Sequence, residues 1–375
     1  MPIFNVDFET YYDSEYSLSS LSTEAYIRDP RFEVIGVSVS IGDSPPRWLE
    51  EAEFRTLVEG VVWGQHDWMS YHTQFDGAIA AWHYGVNPRR WLCSLSMARA
   101  VVGGYAKSFS LGAISKALGV GEKGTEVIRA KGKHRRDFTS EEWLTYGDYS
   151  NNDNNLSRAI YLLTLAGQHG FLTGSIDKFP DQELEVIDAT VRMFTEPRFM
   201  LDRVGLSAHL ANVKHEKEAA LARAGVTDKA LLMSNPKFAS LLRAYGVPVP
   251  MKTSLVTGKP TYAFAKTDKG MEELLEHPLP EVQALVAARI KNKTTLEETR
   301  TQKMLAVEAR GLAPMYIKYA GADQTQRASG GDGINWQNNP RGGMLRWSMM
   351  APPGHVCVVI DSSNVEARGV DLSLI

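Results

Sequence analysis

Cysteine is scarce: only Cys93 and Cys357 occur in 375 residues. They lie far apart and match no metal-ligand spacing, which argues against a disulfide framework and a cysteine-bound zinc site and leaves two reduced structural thiols as the expectation. Long apolar runs are missing too, since no stretch approaches the ~20 residues needed to span a bilayer. The opening Met1-Pro2-Ile3-Phe4 has neither the basic stretch nor the small-residue cleavage site of a secretory signal. No membrane association is expected, and a cytoplasmic protein is. Excess charge of one sign is also lacking: a net charge of −3 suits no protein that coats a duplex through phosphate contacts, so any nucleic-acid surface must be local. Internal repeats and low-complexity segments are absent.

What is present is ordinary globular composition, 43% hydrophobic and 23% charged, in a chain long enough for two domains or more. The first 150 residues alternate strand-like patterns (3–8, 34–41, 68–72) with turns and helical stretches, which predicts an α/β domain. A long helix is expected over 138–166, opened by Thr139 as N-cap with Glu142 as its capping partner. From 181 to 309 the pattern is mostly helical, with amphipathic stretches at 208–224 and 271–293. Beyond Gly311 come Gly- and Asn-rich turns, then the apolar run 356–360, which reads as a buried strand ending on Asp361.

Asp7-Phe8-Glu9 lies on the first of these strands, where period-two geometry sends both carboxylates to one face and the phenylalanine to the other. Alone, an Asp-x-Glu is more often a solvated edge. His72-Thr73-Gln74-Phe75-Asp76 places a third carboxylate where a strand meets a helix, a position that a simple cap aspartate also explains. Tyr149 and Asp153 share one face of the long helix. Around them Ser150, Asn151, Asn152, Asn154 and Asn155 are poor helix formers, a local rule broken in the manner of functional sites; a merely soluble helix is the alternative.

Together and in this order the motifs resemble the DEDD superfamily of 3′→5′ exonucleases, also called DnaQ-like or RNase H-like, in the branch whose third motif carries tyrosine. The resemblance implies Asp7 and Glu9 as the first motif, Asp76 as the second, and Tyr149 with Asp153 as the third. It further implies two Mg²⁺ or Mn²⁺ ions held by Asp7, Glu9, Asp76 and Asp153, with Tyr149 orienting the attacking water and nucleoside monophosphates as product. Hard oxygen ligands suit those ions, and two of them supply what phosphodiester hydrolysis needs. Thr73 stands where the family usually has asparagine, which bears on positioning of the 3′ end rather than on metal binding.

For the DNA path, Arg129, Lys131, Lys133, Arg135 and Arg136 form the densest basic cluster; a solvated basic loop is at least as good a reading. His72, Phe8 and Phe75 adjoin the ligands. Either phenylalanine could stack on a terminal base, although core packing suits both better.

The remainder resembles the thumb and the start of the palm of a family A DNA polymerase of the bacteriophage kind. Thr325-Gln326-Arg327, Ser329 and Asn335-Trp336-Gln337-Asn338-Asn339-Pro340 match the segment before the palm, with Gln326 replacing a glycine. Asp361-Ser362-Ser363-Asn364-Val365-Glu366 resembles polymerase motif A; a turn aspartate ending a strand is the alternative for Asp361, and the full motif match favours the resemblance. Lys293 and Arg300 fall where that family's thumb meets the duplex backbone, or on a charged solvent face. The expected layout is an RNase H-like exonuclease domain with a mixed sheet over 1–180, a helical thumb over 181–310 and an incomplete α+β palm over 311–375. The later polymerase motifs are not found, so polymerisation is not expected from this chain alone. The leading expectation is a proofreading 3′→5′ exonuclease acting on a single-stranded or frayed primer 3′ end in DNA replication. The alternatives are one half of a split polymerase that needs a second polypeptide to complete palm and fingers, or a DNA-binding remnant.

Overall fold

The computed structural model describes residues 2–103, 106–125, 127–166, 179–322 and 325–359. These fall into two compact units, one drawn from 1–201, 310–340 and 349–375, the other from 202–309 and 341–348.

The first unit runs β1 (Ile3–Thr10), α1 (Thr23–Ile27), β2 (Val34–Ile41), β3 (Arg47–Leu49), α2 (Glu51–Glu59), β4 (Asp67–Ser70), α3 (Thr73–Tyr84), β5 (Arg90–Cys93), α4 (Ser94–Val102), α5 (Leu111–Leu118), α6 (Val127–Ala130), α7 (Ser140–Leu165) and α8 (Asp181–Thr195). The five strands form one mixed sheet in the order β3-β2-β1-β4-β5. β1 pairs antiparallel with β2 and parallel with β4, so the fold is α/β with a mixed sheet, as expected.

Alternation along β1 decides how this sheet is covered. Phe4, Val6 and Phe8 point to one face and Asn5, Asp7 and Glu9 to the other. The register carries this across to β2, where Asp7 lies opposite Ser38, Glu9 opposite Gly36 and Asn5 opposite Ser40. The apolar face packs on α2 and α3: Phe8 meets Phe54 edge-on at 5.1 Å and stacks on Tyr84 at 5.9 Å. The polar face needs a polar partner, because a buried amide or hydroxyl without a hydrogen bond costs about 1–3 kcal/mol. Helix α7 is that partner.

Thr139 and Glu142 form the expected reciprocal cap of α7, with Glu142 N donating to Thr139 Oγ1 at 3.2 Å and Thr139 N to Glu142 Oε2 at 3.0 Å. The helix then lays its poor formers against the sheet. Asn5 Nδ2 donates to Asn154 Oδ1 at 2.7 Å, while Asn154 Nδ2 donates to the Asn5 and Ser38 carbonyls at 2.9 and 3.1 Å. Ser40 Oγ reaches Asn154 Oδ1 at 2.9 Å and Ser38 Oγ reaches Asn151 Oδ1 at 2.7 Å. Asn151 and Asn154 therefore do bring a structural gain, which was not evident from sequence: they dock α7 on a polar sheet face. Two glycines complete the fit. A Cβ on Gly36 would lie 2.1 Å from the Trp48 indole and one on Gly147 2.4 Å from it, so that ring is clasped between β2 and α7.

Residues 310–340 belong to this unit. Gln74 Nε2 donates to the Ile317 carbonyl at 2.7 Å, and Asp332 Oδ1 accepts from Thr23 N at the start of α1. Gln326, which replaces a glycine of the resembled motif, has a left-handed backbone, with φ of 51° in a turn where its N–H bonds the Ala322 carbonyl at 2.7 Å. Left-handed backbone costs a non-glycine residue about 1 kcal/mol or more. Gln326→Gly is therefore expected to raise stability by about 1 kcal/mol in urea unfolding; a loss of that size would show that the Gln326 side chain matters more than the strain.

The second unit contains α9 (Arg203–Arg223), α10 (Lys229–Met233), α11 (Asn235–Ala244), α12 (Lys269–Leu275), α13 (Pro280–Lys293) and α14 (Leu296–Glu308). Its core gathers Leu232, Phe238, Leu242, Phe264, Met271 and Val286. Arg289, 1% exposed, sits inside it with its guanidinium 4.4 Å from the Phe238 ring and 4.8 Å from that of Phe264, donating to the Leu232 carbonyl and to Asn235 Oδ1. Burial without a carboxylate is tolerable because rings and acceptors surround the charge.

The amphipathic stretch 271–293 is built as two helices, because Pro280 opens a new helix at its first turn and proline cannot continue an old one. One expectation is corrected. The apolar run 356–359 is not a buried strand: Val356, Val358 and Val359 are 84%, 74% and 84% exposed. A strand needs a neighbour for its backbone groups, and among the described residues none pairs with it.

A buried carboxylate cluster as the candidate active site

Asp7 and Glu9 project from the polar face of β1, and α7 brings Asp153 over them. Oxygens of all three lie within 4.8 Å of one another. A register shift between Glu9 and Thr10 turns the strand end beside the cluster, a common use of a bulge. Asp76, in the first turn of α3, approaches from the parallel side and accepts from Phe8 N at 3.2 Å. Four carboxylates from three separate segments thus meet at the end of one strand.

Their electrostatics follow from burial and mutual repulsion. Burial first, then the Asp153 charge, raises the Asp7 pKa to about 6, against the Ser150 hydroxyl and the Lys123 ammonium, which lower it. Burial and then Asp7 hold Glu9 well above the usual carboxylate range, opposed by a hydrogen bond from Tyr146. Burial and then Asp7 do the same to Asp76, opposed by the Phe8 N–H. Like charges crowded in a low-dielectric site cannot all ionise without compensating cations.

The supporting shell contains three residues not foreseen from sequence. Ser150 Oγ donates to Asp7 Oδ2 at 2.8 Å, the Tyr146 hydroxyl donates to Glu9 Oε2, and the Lys123 ammonium pairs with Asp153 Oδ2. Tyr146, Tyr149, Ser150 and Asp153 follow the spacing i, i+3, i+4, i+7, one helical stripe, so two of the three had a signal. Lys123 comes from the 119–125 loop and had none. Tyr149 stacks on Tyr146 with centroids 5.8 Å apart, and Tyr146 on Phe138 at 5.6 Å.

The expected DNA-binding residues are dispersed. Phe8 is core, as described. Phe75 is partly buried, 6.0 Å from the Tyr26 ring. His72 bonds the Tyr316 hydroxyl at 2.7 Å, and burial, with Arg99 and Lys318, lowers its pKa to about 4. Thr73 accepts from Ser70 N at 3.2 Å and donates to the Ser70 carbonyl at 3.1 Å, fastening the end of β4. Of the basic cluster, Lys133 pairs with Glu142 and Arg135 with Glu50, whereas Arg129 and Lys131 are exposed. Arg129, Lys133, Phe138, Thr145 and Tyr146 line a cleft of about 220 Å³. Arg327 is exposed in the first unit; Lys293, exposed, and Arg300, half-buried, belong to the second. Asp361 and Glu366 lie outside the described residues.

No helix among the described residues is long and apolar enough to cross a membrane. No family model matches the chain, and no curated protein does. Among solved structures, the POL domain of Pol1 from M. smegmatis, in complex with DNA primer-template and dNTP, superposes with a TM-score of 0.54 at 17% identity, covering 94% of this chain and 56% of that one. Brucella melitensis NrnC overlaps less, with a TM-score of 0.34 at 15% identity over 50% of this chain and 81% of NrnC. At such identity it is the fold that is shared: this chain is built like a DNA polymerase domain, of which it spans 56% of the length.

Proposed function

We propose that the chain is a metal-dependent 3′→5′ DNA exonuclease of the proofreading type, and that Asp7, Glu9, Asp76 and Asp153 are its metal-binding residues. The convergence of Asp7, Glu9 and Asp153 oxygens within 4.8 Å carries this reading. All the donors are hard carboxylate oxygens, the chemistry Mg²⁺ or Mn²⁺ prefers, and the raised pKa values mark a site short of positive charge. Two divalent ions bound there would supply Lewis-acid stabilisation of the attacking and leaving oxygens of a phosphodiester.

The chain's own groups then have distinct tasks. Ser150 fixes the rotamer of Asp7 and Tyr146 that of Glu9, so the ligands stand in place before substrate arrives. Tyr149, beside Asp153 and kept protonated by burial and the carboxylates, orients the attacking water with its hydroxyl. The polymerase-like fold supports DNA as substrate. The cleft beside Tyr146, with Arg129 exposed at its edge, is the path proposed for the last nucleotides of a single strand, whose phosphates meet cations while bases stack on aromatic faces.

The test is digestion of a 5′-labelled single-stranded oligonucleotide in Mg²⁺, comparing the intact chain with Asp7→Ala. A stepwise ladder from the 3′ end that vanishes in the variant is expected. No ladder from folded protein in either Mg²⁺ or Mn²⁺ would overturn the proposal.

A further inference from the structure

Among the described residues Lys123 is a cation paired directly with the cluster, and its placement is not that of a stray surface lysine. Gly119, with φ of 67°, ends α5 and turns the chain toward α7. Gly121, with φ of 145°, lies so close to α7 that a Cβ would stand 2.8 Å from Leu156 Cδ2. Asn152 Nδ2 then holds the Glu122 carbonyl at 3.0 Å, and Gly112 leaves room for the lysine stem, a Cβ there lying 3.3 Å from that of Lys123. Two successive residues of the loop, Gly121 and Glu122, are thus held against α7, and the next side chain is delivered to Asp153. Its ammonium pairs with Asp153 Oδ2, lies 4.9 Å from the centroid of the Tyr149 ring, and acts on Asp7 and Glu9 as well.

We propose that Lys123 is a tethered counter-ion of the cluster, which holds the metal-free site together and gives up its place on Asp153 to a divalent cation. The inference rests on the metal-binding role proposed above for these carboxylates. An ammonium brings one charge, too little for four clustered carboxylates, and an oxygen lone pair that receives its proton is not free to bind a metal. With its side chain 30% exposed, Lys123 has a route away from the cluster. The arrangement trades metal affinity for a site that does not fly apart when empty. Lys123 is in this sense a positioning residue.

The test uses the full chain and Mn²⁺ alone, with calorimetric titration and thermal unfolding in EDTA. Lys123→Met keeps the apolar stem and removes the charge. It is expected to lower the metal-free melting temperature and tighten Mn²⁺ binding about tenfold, the scale on which residues around a metal site tune it. Lys123→Arg should restore wild-type behaviour in both. Lys123→Gln serves if the methionine variant does not fold, with the same expectation. A lowered melting temperature with unchanged Mn²⁺ affinity would reduce Lys123 to a structural residue, and weakened Mn²⁺ binding would reverse the proposal. Wild type that binds Mn²⁺ while the variants match it overturns this inference alone; absence of Mn²⁺ binding in every chain overturns the metal site as well.

Discussion

Asp7→Asn is expected to abolish 3′-end digestion and, in the same protein, to raise the stability of the metal-free fold. The first effect follows from losing a charged ligand at the centre of the cluster. The several kcal/mol of charge stabilisation that a divalent ion contributes correspond, at 1.36 kcal/mol per decade, to about a thousandfold in rate. The second follows from the pKa of about 6. The folded protein keeps a proton on Asp7 that the unfolded chain gives up near 3.8, so wild-type stability falls as pH rises from about 4 to about 6 and stays low above that. Two pKa units are worth about 3 kcal/mol. Asparagine carries no charge at any pH and still accepts from Ser150. The variant should therefore match wild type below pH 4 and exceed it by up to about 3 kcal/mol at pH 8, measured by urea unfolding in EDTA. Retained digestion would remove Asp7 from the site. A variant less stable than wild type at pH 8 would mean that the carboxylate is not under strain.

The second large effect belongs to Glu24, in the first turn of α1. It is 3% exposed and accepts from Arg310 Nε at 2.7 Å, from Arg310 Nη2 at 2.6 Å and from Arg28 Nη1 at 3.2 Å. Glu24→Ala strands two arginines in partly desolvated positions, and breaking a buried pair by removing one member costs about 3–5 kcal/mol. The arginines are 19% and 31% exposed, so water relieves part of that and about 3 kcal/mol is expected. Arg310→Ala should cost less, since Arg28 still compensates Glu24. The urea midpoints of the two variants check both the size and the order. Equal, small losses would make this an ordinary surface ion pair.

The polymerase likeness and the cluster carry different kinds of information. Similarity to the POL domain is one of fold across 94% of the residues, whereas the chemistry proposed here depends on four carboxylates in the first unit. A catalytic reading must rest on those side chains, because folds host many chemistries.

Much of the site was legible because its residues obey short-range rules. Alternation puts Asp7 and Glu9 on one face of a strand whatever surrounds it, and the capping pair Thr139 and Glu142 announced α7 within one or two residues of its ends. Helical spacing likewise joined Tyr149 to Asp153. The Asn-rich turn of α7 was visible as a break in helix propensity, but the structural gain that Asn151 and Asn154 bring depends on the polar sheet beneath them, which no local pattern shows. The run 356–359 looked like a strand for the complementary reason, since an apolar β-branched pattern describes what a segment would do with partners and not whether it has them.

What the sequence by itself determined is the local geometry: which residues share a face, where helices begin, and the three motifs in order. Only the tertiary structure decided that α7 crosses the polar face of β1 and β2, that a loop drawn in by Gly121 and Asn152 delivers Lys123 to Asp153, and that 310–340 packs with the N-terminal residues. Backbone sterics and periodicity act over a few positions and can be read along the chain. Burial, charge compensation and the pairing of 24 with 310 depend on what meets across hundreds of residues, and no periodicity encodes that.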